Sequence, residues 1–136
     1  MKFFFTALAS LACALFIVKI ANAEDMRWLY SYDEALNQAQ QNNMAVMIDF
    51  YTDWCGWCKK LDSETYRDKK IIELSRKLVC LKVDADKNSA LANKYGVRGY
   101  PTILFTDPKG KIIGGGPGFR STDKLLSEMN SAITKH

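Results

Sequence analysis

The stretch that decides the fold is residues 44–59, MAVMIDFYTDWCGWCK, in which an apolar run leads into two cysteines. Residues 44–51 are almost continuously apolar, which predicts a strand covered on both faces. Residues 54–61 predict a loop that enters a helix, with Cys55 at or just before the first helical turn. The cysteine pair is therefore expected at a junction between a buried strand and a helix.

The predicted position of Cys55 suits a reactive thiol. Free backbone N–H groups and the positive end of the helix dipole stabilise an anion there, which lowers a cysteine pKa from its usual value of about 8.5. The two-residue spacer lets Cys58 return to attack the sulfur of Cys55 and resolve a mixed disulfide. Gly56 allows tight entry into the helix because it has no Cβ. We predict a redox disulfide between Cys55 and Cys58.

Three other interpretations of this pair stay open. It could be half of a zinc site, although Cys80 and His136 are the only further candidates and their spacing is unsuitable. Two thiolates could also hold Cu(I), and the third interpretation is a purely structural disulfide, which would add little stability across so short a loop. We expect no metal and no cofactor.

Composition excludes several classes of function. At 136 residues, with 48% hydrophobic and 25% charged residues, the chain is typical of one soluble globular domain rather than a disordered segment. The net charge of +4 comes without a block of like charges, so a nucleic-acid partner is not expected. The single histidine is the C-terminal residue, which argues against catalysis by an internal imidazole.

The N-terminal segment predicts export. Lys2 precedes an apolar run over residues 3–18, and the small residues at 21 and 23 form a cleavage site typical of a secretory signal peptide. We therefore predict a signal peptide over residues 1–23 and one domain over residues 24–136, in the periplasm or secreted. An uncleaved membrane anchor is the competing interpretation. Cys13 lies within the apolar run and is expected to be removed with the peptide.

The remaining residues alternate between helical and strand periods. The predicted elements are a helix capped by Ser31, helical spacing over 71–78, a strand at 78–84, a helix ended by Gly96, hairpin strands at 102–105 and 111–113, and a helix capped by Ser121. Glycine-rich residues 114–118 are expected to end the second hairpin strand. Parallel pairing followed by a hairpin predicts the α/β class, with a central mixed β-sheet flanked by helices on both faces.

Three motifs resemble the thioredoxin family in order and spacing: residues 49–59, 82–84 and 95–102. The resemblance runs from about residue 44 to the last helix. Residues 64–68 and 107–110 are more similar to secreted thioredoxin-like reductase domains, such as the periplasmic C-terminal domain of the electron carrier DsbD. The resemblance implies a thioredoxin fold and an enzyme, a thiol–disulfide oxidoreductase.

The resemblance also implies roles for individual residues. Cys55 would attack and Cys58 would resolve. Pro101 would be a cis proline facing the pair, which leaves the backbone of Tyr100 to pair with an extended substrate strand. These two residues, together with Gly56, are predicted to line the substrate site.

Asp49 and Lys82 are the predicted acid–base residues. A carboxylate inside an apolar strand should have a raised pKa. The resemblance makes Asp49 a proton acceptor for Cys58, with Lys82 as its charge partner. The alternative is a buried ion pair without a catalytic role.

The tryptophans on either side of Cys55 have separate interpretations. Trp57 stands where thioredoxins usually have proline. It is interpreted either as a residue that tunes the redox potential, which leaves the direction of electron flow open, or equally as a hydrophobic contact with the substrate. Because tryptophan is usually well buried, Trp54 is interpreted first as a shield over the site and second as a substrate contact. Cys80 shares strand parity with Lys82 and is expected to point inward as inert core.

The chain is accordingly predicted to exchange dithiols and disulfides with protein substrates outside the cytoplasm, as a reductase or an isomerase-type donor. Its partners would be protein thiols and disulfides and an upstream redox donor, with a membrane electron carrier as one candidate, and we expect a monomer. The alternative function is a non-catalytic accessory module that binds peptides or acts as a metallochaperone.

Overall fold

The computed structural model describes residues 25–136, which form one mixed sheet with helices on both faces. The elements are β1 (Trp28–Leu29), α1 (Tyr32–Asn42), β2 (Val46–Tyr51), α2 (Gly56–Ser63), a 3-10 turn (Thr65–Arg67), α3 (Lys69–Ser75), β3 (Val79–Asp84), α4 (Ser89–Lys94), β4 (Thr102–Thr106), β5 (Ile112–Pro117) and α5 (Thr122–Thr134). The predicted signal peptide or anchor over residues 1–23, with Cys13, lies outside the described residues. In residues 25–136 no helix has the length and apolarity needed to cross a bilayer.

The sheet places β2 at its centre, in the order β1-β3-β2-β4-β5. The first three strands run parallel, and β4 and β5 are antiparallel to their neighbours. Asp49 on β2 is flanked by Lys82 on β3 and Ile103 on β4. The predicted mixed sheet is therefore confirmed, and the redox pair follows directly from its central strand.

Local signals at the ends of helices were sufficient to predict three boundaries. Ser31 and Ser121 accept hydrogen bonds from the third helical residue of α1 and α5, respectively, as N-cap side chains do. Gly96 follows the end of α4 with φ of 66°, the left-handed conformation that favours glycine after a helix. All three predictions are confirmed.

The structure corrects the prediction for the second hairpin strand. We expected residues 114–118 to end it, but β5 continues through Gly116 to Pro117 because these residues remain paired with β4. At Gly115, φ is 93°, and a Cβ would overlap the carbonyl oxygen of Ile103. Glycine here permits close approach between two strands rather than ending one.

Two further features were not predicted. The short edge strand β1 pairs with β3 and adds a fifth strand to the sheet. The helical stretch after the cysteines is divided, because α2 ends at Ser63 and α3 begins anew after Asp68, whose carboxylate accepts the backbone N–H of Lys70 at 2.8 Å.

The sheet has a core on each side. The α1 face is packed by α1 and α4, and its buried residues include Val46, Ile48, Phe50, Leu81 and Val83. The α2 face is packed by α2, α3 and α5, and its buried residues include Met47, Leu61, Tyr66, Cys80 and Phe105. The predicted inward position of Cys80 is confirmed.

Candidate active site

The cysteine pair lies at the N-terminus of α2. Cys55 is the N-cap residue, and its Sγ accepts a hydrogen bond from the backbone N–H of Cys58 at 3.1 Å. The two residues form a disulfide with Cα atoms 5.3 Å apart, and both are buried. When the disulfide is reduced, the same N–H and the helix dipole can stabilise a thiolate on Cys55. The predicted position of Cys55 and the predicted pairing are therefore confirmed.

The start of α2 forms one wall of the site, and the loop before β4, which contains Tyr100 and Pro101, forms the other. The Tyr100–Pro101 peptide bond is cis, as the family resemblance implied. The Tyr100 ring lies perpendicular to the Trp54 ring, with centroids 5.9 Å apart, so this loop approaches the start of α2. Within residues 25–136, no hydrogen bond uses the backbone N–H or C=O of Tyr100. Those groups can therefore pair with an added strand.

Trp54 is far more exposed than its residue type suggested. Its side chain is 70% exposed, so the argument for a shield from burial statistics is wrong for this residue. The indole Nε1 donates a hydrogen bond to the Asp86 carboxylate at 3.0 Å, which holds the ring in place beside Tyr100. A fixed, exposed indole next to a disulfide can present an apolar face to an incoming chain.

Trp57 forms a second exposed aromatic surface. It is 58% exposed and packs against Phe119 with ring centroids 5.6 Å apart. The Lys60 ammonium lies 5.2 Å from the Trp57 ring centroid and 5.5 Å from that of Phe119. Gly56 opens α2 between Cys55 and Trp57. A Cβ built there would meet no atom within 4 Å, so the predicted steric need for glycine at the entry to the helix is wrong.

Asp49 and Lys82 meet on the α2 face. Their strands are in register, and Lys82 Nζ lies 3.2 Å from Asp49 Oδ2. Asp49 is only 1% exposed, and its other oxygen, Oδ1, has no hydrogen-bond partner among the described residues. Burial raises the pKa of Asp49, and the positive charge of Lys82 only partly opposes that rise. Asp49 is thus a carboxyl that takes up a proton more readily than an exposed one.

Asp62 is a member of this cluster that the sequence analysis missed. Its Oδ1 lies 2.8 Å from Lys82 Nζ, and its side chain is 46% exposed. Burial by itself would lower the pKa of Lys82, but the carboxylates of Asp49 and Asp62 together raise it. The spacing gave a signal, because Asp62 stands four residues after Cys58 and therefore shares its helix face.

Aromatic rings enclose the Lys82 ammonium. It lies 4.4 Å from the ring centroid of Tyr51 and 5.3 Å from that of Trp28, within the range of cation–π attraction. The Tyr66 hydroxyl is buried nearby without a hydrogen-bond partner among the described residues. Burial and the charge of Asp49 raise the pKa of Tyr66 well above its usual value. Tyr66 therefore remains a neutral phenol beside the carboxyl.

Cys80 does not belong to the site. It is 3% exposed within the core of the α2 face, and burial raises the pKa of its thiol to about 12. The thiolate is the reactive form, so Cys80 is inert at neutral pH.

In residues 25–136, no group of three or more His, Cys, Asp or Glu side chains is arranged to hold a metal ion.

Sequence similarity agrees with this arrangement. The Thioredoxin family model matches residues 28–131. The chain is 38% identical over 122 residues to protein disulfide-isomerase 1 of Dictyostelium discoideum, a match over 87% of this chain and 33% of that protein. It is 34% identical over 113 residues to the thiol:disulfide interchange protein DsbD of Actinobacillus pleuropneumoniae serotype 5b (strain L20), a match over 79% of this chain and 19% of that protein.

Structural similarity leads to the same family. The solution structure of a thioredoxin from Thermus thermophilus matches with a TM-score of 0.73 at 30% identity, over 82% of this chain and 89% of that one. The chain spans a third or less of the length of the two curated relatives above, but most of the length of this thioredoxin. The predicted thioredoxin fold and the resemblance to DsbD are confirmed. The fold, the disulfide at the start of α2 and these similarities show that the chain belongs to the thioredoxin family.

Proposed function

We propose that the chain is an extracytoplasmic thiol–disulfide oxidoreductase that reduces protein disulfides. The observation that carries the proposal is the N-cap position of Cys55, where its sulfur accepts the backbone N–H of Cys58. The names of its relatives, protein disulfide-isomerase and thiol:disulfide interchange protein, support the prediction of an enzyme. No observation favours the alternative of a non-catalytic accessory module.

The exchange proceeds in two steps. The Cys55 thiolate attacks one sulfur of a substrate disulfide, forms a mixed disulfide and releases the other substrate sulfur as a thiolate. The Cys58 thiolate then attacks Cys55 Sγ, which reforms the Cys55–Cys58 disulfide and releases the second substrate thiolate. Two electrons pass from the cysteine pair to the substrate, and an upstream dithiol donor must return them.

Asp49 is proposed as the proton acceptor for Cys58. It lies on the α2 face, against which the helix of Cys58 packs, and burial raises its pKa. A carboxyl with a raised pKa is better matched to accepting a thiol proton than an exposed carboxyl would be. Lys82 is proposed to hold the carboxylate in place through the 3.2 Å contact. The alternative, an ion pair without a catalytic role, predicts that Asp49→Asn leaves the second step unchanged.

Substrate binding is proposed along the surface between the two walls. The exposed rings of Trp54 and Trp57 flank the start of α2, with Gly56 between them. The unused backbone groups of Tyr100, beside cis Pro101, would pair with an extended substrate segment. A substrate disulfide held there would lie against Cys55.

The uncharged residues between the cysteines support the proposed direction of electron flow, from the cysteine pair to the substrate. A strong oxidant needs a strongly stabilised thiolate in its reduced form, and neither Gly56 nor Trp57 carries a positive charge. We therefore expect a reduction potential nearer the value of thioredoxin, about −270 mV, than that of strongly oxidising relatives, about −120 mV. Equilibration with glutathione buffers measures this potential, and a value near −120 mV would reverse the proposed direction.

Turnover of insulin disulfides tests the enzyme itself. We expect the protein, recycled by a dithiol, to reduce insulin. We also expect Cys58→Ala to trap a mixed disulfide on Cys55, and Cys80→Ala, the matched control, to remain active. Absence of turnover, or a Cys55 pKa near 8.5 by thiolate absorbance, would contradict the proposal.

The extracytoplasmic location is proposed from the N-terminal sequence, with an uncleaved anchor as its alternative. Export followed by cleavage predicts a mature protein that begins at Glu24 and is released with the periplasmic or secreted fraction. N-terminal sequencing of that fraction tests this. Recovery of the intact chain in membranes would favour the anchor. We also propose that the protein is a monomer and that a membrane electron carrier is a candidate for its donor.

A further inference from the structure

The end of β5 has little intrinsic rigidity. Gly115 and Gly118 have φ of 93° and 105°, conformations that residues with side chains rarely adopt. Glycine loses more conformational freedom on folding than any other residue, so a glycine-rich segment is held in one conformation only by contacts from elsewhere.

Pairing with β4 supplies part of these contacts, and Arg120 supplies a further set from a buried position. Its side chain is 2% exposed. Nη2 donates to the carbonyl of Gly116 at 2.9 Å, and Nη1 donates to the carbonyls of Pro117 and Gly118. Nε donates to the carboxylate of Glu128 on α5 at 2.7 Å, which balances the charge. A buried guanidinium is unfavourable unless it is paired, and here each of its three nitrogens has a partner.

The segment that Arg120 holds contacts both walls of the redox site. The backbone N–H of Gly118 donates to the carbonyl of Pro101 at 2.8 Å, which fixes the cis-proline loop. The next residue, Phe119, packs against Trp57 on α2. One short segment therefore contacts the loop before β4 on one side and the helix that carries the cysteines on the other.

We propose that Arg120 is a positioning residue for substrate binding. By fixing Gly116–Phe119, it holds the cis-proline loop and Trp57 at the separation in which a substrate segment docks between them. Arg120 acts through these residues, because its guanidinium is occupied by three carbonyls and Glu128. The inference rests on the proposed function, in which Tyr100, Pro101 and Trp57 contact the substrate.

Arg120→Lys is the main test, on the full chain. Lysine keeps the charge but lacks the planar fork that reaches several acceptors. We expect the KM for insulin to rise about tenfold to a hundredfold, the cost of a misplaced contact, while the pH profile of Cys55 alkylation by iodoacetamide stays unchanged. Arg67→Lys is the matched control, because Arg67 is an exposed arginine paired with Asp25, and we expect it to change neither quantity.

Two results would overturn the proposal. A folded Arg120→Lys protein with unchanged KM would show that the contacts of the Arg120 guanidinium do not matter for substrate binding. A displaced alkylation profile with unchanged KM shows that the guanidinium acts on the thiols instead. If Arg120→Lys does not fold, Glu128→Gln takes its place: it removes the counter-charge of the buried guanidinium but leaves the three carbonyl contacts, so we expect a smaller rise in KM, and an unchanged KM would overturn the proposal.

Hydrogen exchange separates this inference from the proposed function. The Gly118 amide is expected to exchange faster in Arg120→Lys than in the wild type, with the amides of β2 unchanged. This measurement needs no substrate. It therefore tests whether Arg120 holds this segment even if the wild type fails to reduce insulin, a failure that would count against the proposed function, and the rise in KM then tests whether the held segment serves substrate binding. Unchanged exchange at Gly118 would overturn the positioning role.

Discussion

The α1 and α2 faces of the sheet differ although the same strands build both. Ile48 and Leu81 are partners across β2 and β3, and both are fully buried toward α1. One residue further along each strand, Asp49 and Lys82 are partners toward α2, with charged groups 3.2 Å apart. Successive side chains of a strand point to opposite faces. The same register of β2 and β3 therefore aligns two apolar residues on the α1 face and two charged residues on the α2 face.

The two faces also differ in their energetics. A fully buried aliphatic side chain contributes about 1.5–3 kcal/mol to folding, whereas a buried ion pair is often no better than an apolar replacement. Asp49 makes the contrast sharper, because its Oδ1 lacks a hydrogen-bond partner among the described residues. Both faces have an apolar core that stabilises the domain, and the α2 face also accommodates the Asp49–Lys82 ion pair, for which we propose a chemical role.

The largest effect is expected from the sulfur that caps α2. Cys55→Ala removes the nucleophile, so insulin reduction should fall by about 10³-fold or more with the fold intact. Cys80→Ala, in the core of the same face, should retain activity. Retention of activity within about tenfold in Cys55→Ala would break the assignment of chemistry to the start of α2.

The α1 face should respond in stability alone. Ile48→Ala leaves a cavity and should lower the free energy of unfolding by about 2–5 kcal/mol, whereas Ile48→Val should lower it by about 0.5–1.5 kcal/mol. Urea denaturation measures both, and kcat per folded molecule should not change. A fall in kcat of the folded Ile48→Ala protein would mean that the two faces are not separable.

Asp49→Asn should show opposite effects on stability and activity. Burial raises the pKa of Asp49 despite the charge of Lys82, so replacing the carboxylate by a neutral amide should raise the free energy of unfolding at neutral pH, and Lys82 keeps its contact with Asp62. Insulin reduction should fall about tenfold to a hundredfold if Asp49 accepts the proton of Cys58. Leu81→Ala, on the other face, provides the contrast, because it should lose stability and keep its kcat.

The pH dependence of stability gives Asp49 a separate test. Because its pKa is raised in the native state, the native state binds this proton more tightly than the unfolded chain does. Wild-type stability from this group is therefore present below the unfolded pKa of about 3.9 and is lost as the pH rises through the native pKa. The advantage of Asp49→Asn should grow from acid to neutral pH, and a constant difference would contradict the raised pKa.

The smallest effect is expected from Asp62, the half-exposed carboxylate that pairs with Lys82. The charge of Asp62 raises the pKa of both Asp49 and Lys82, so Asp62→Asn should lower both. Its effect on stability should be only about 0–1 kcal/mol, since the side chain is half exposed. NMR titration of the Asp49 carboxyl measures the shift, with Asp33→Asn on α1 as the control. An upward shift would show that Asp62 does not act on Asp49 through its charge.

Much of the fold could be predicted because its signals are local. The apolar run of β2, the caps at Ser31 and Ser121 and the glycine after α4 each depend on neighbours within one or two turns of chain. The glycines of β5 were misjudged for the same reason. Their local preference is for turns, but pairing with β4 keeps them in the strand. The role of Asp49 stays a prediction, although its burial and its proximity to Lys82 are confirmed.

The sequence by itself determined the alternating elements, the cysteine pair at the start of a helix and the inward position of Cys80, because strand and helix periods and capping preferences are properties of short segments. Only the tertiary structure decided that Asp62 joins Lys82, that the indole of Trp54 is exposed against Asp86, and that Arg120 holds the glycines beside Pro101. These contacts join residues on separate elements. They depend on strand register and on how helices and loops pack against the sheet, which no local preference specifies.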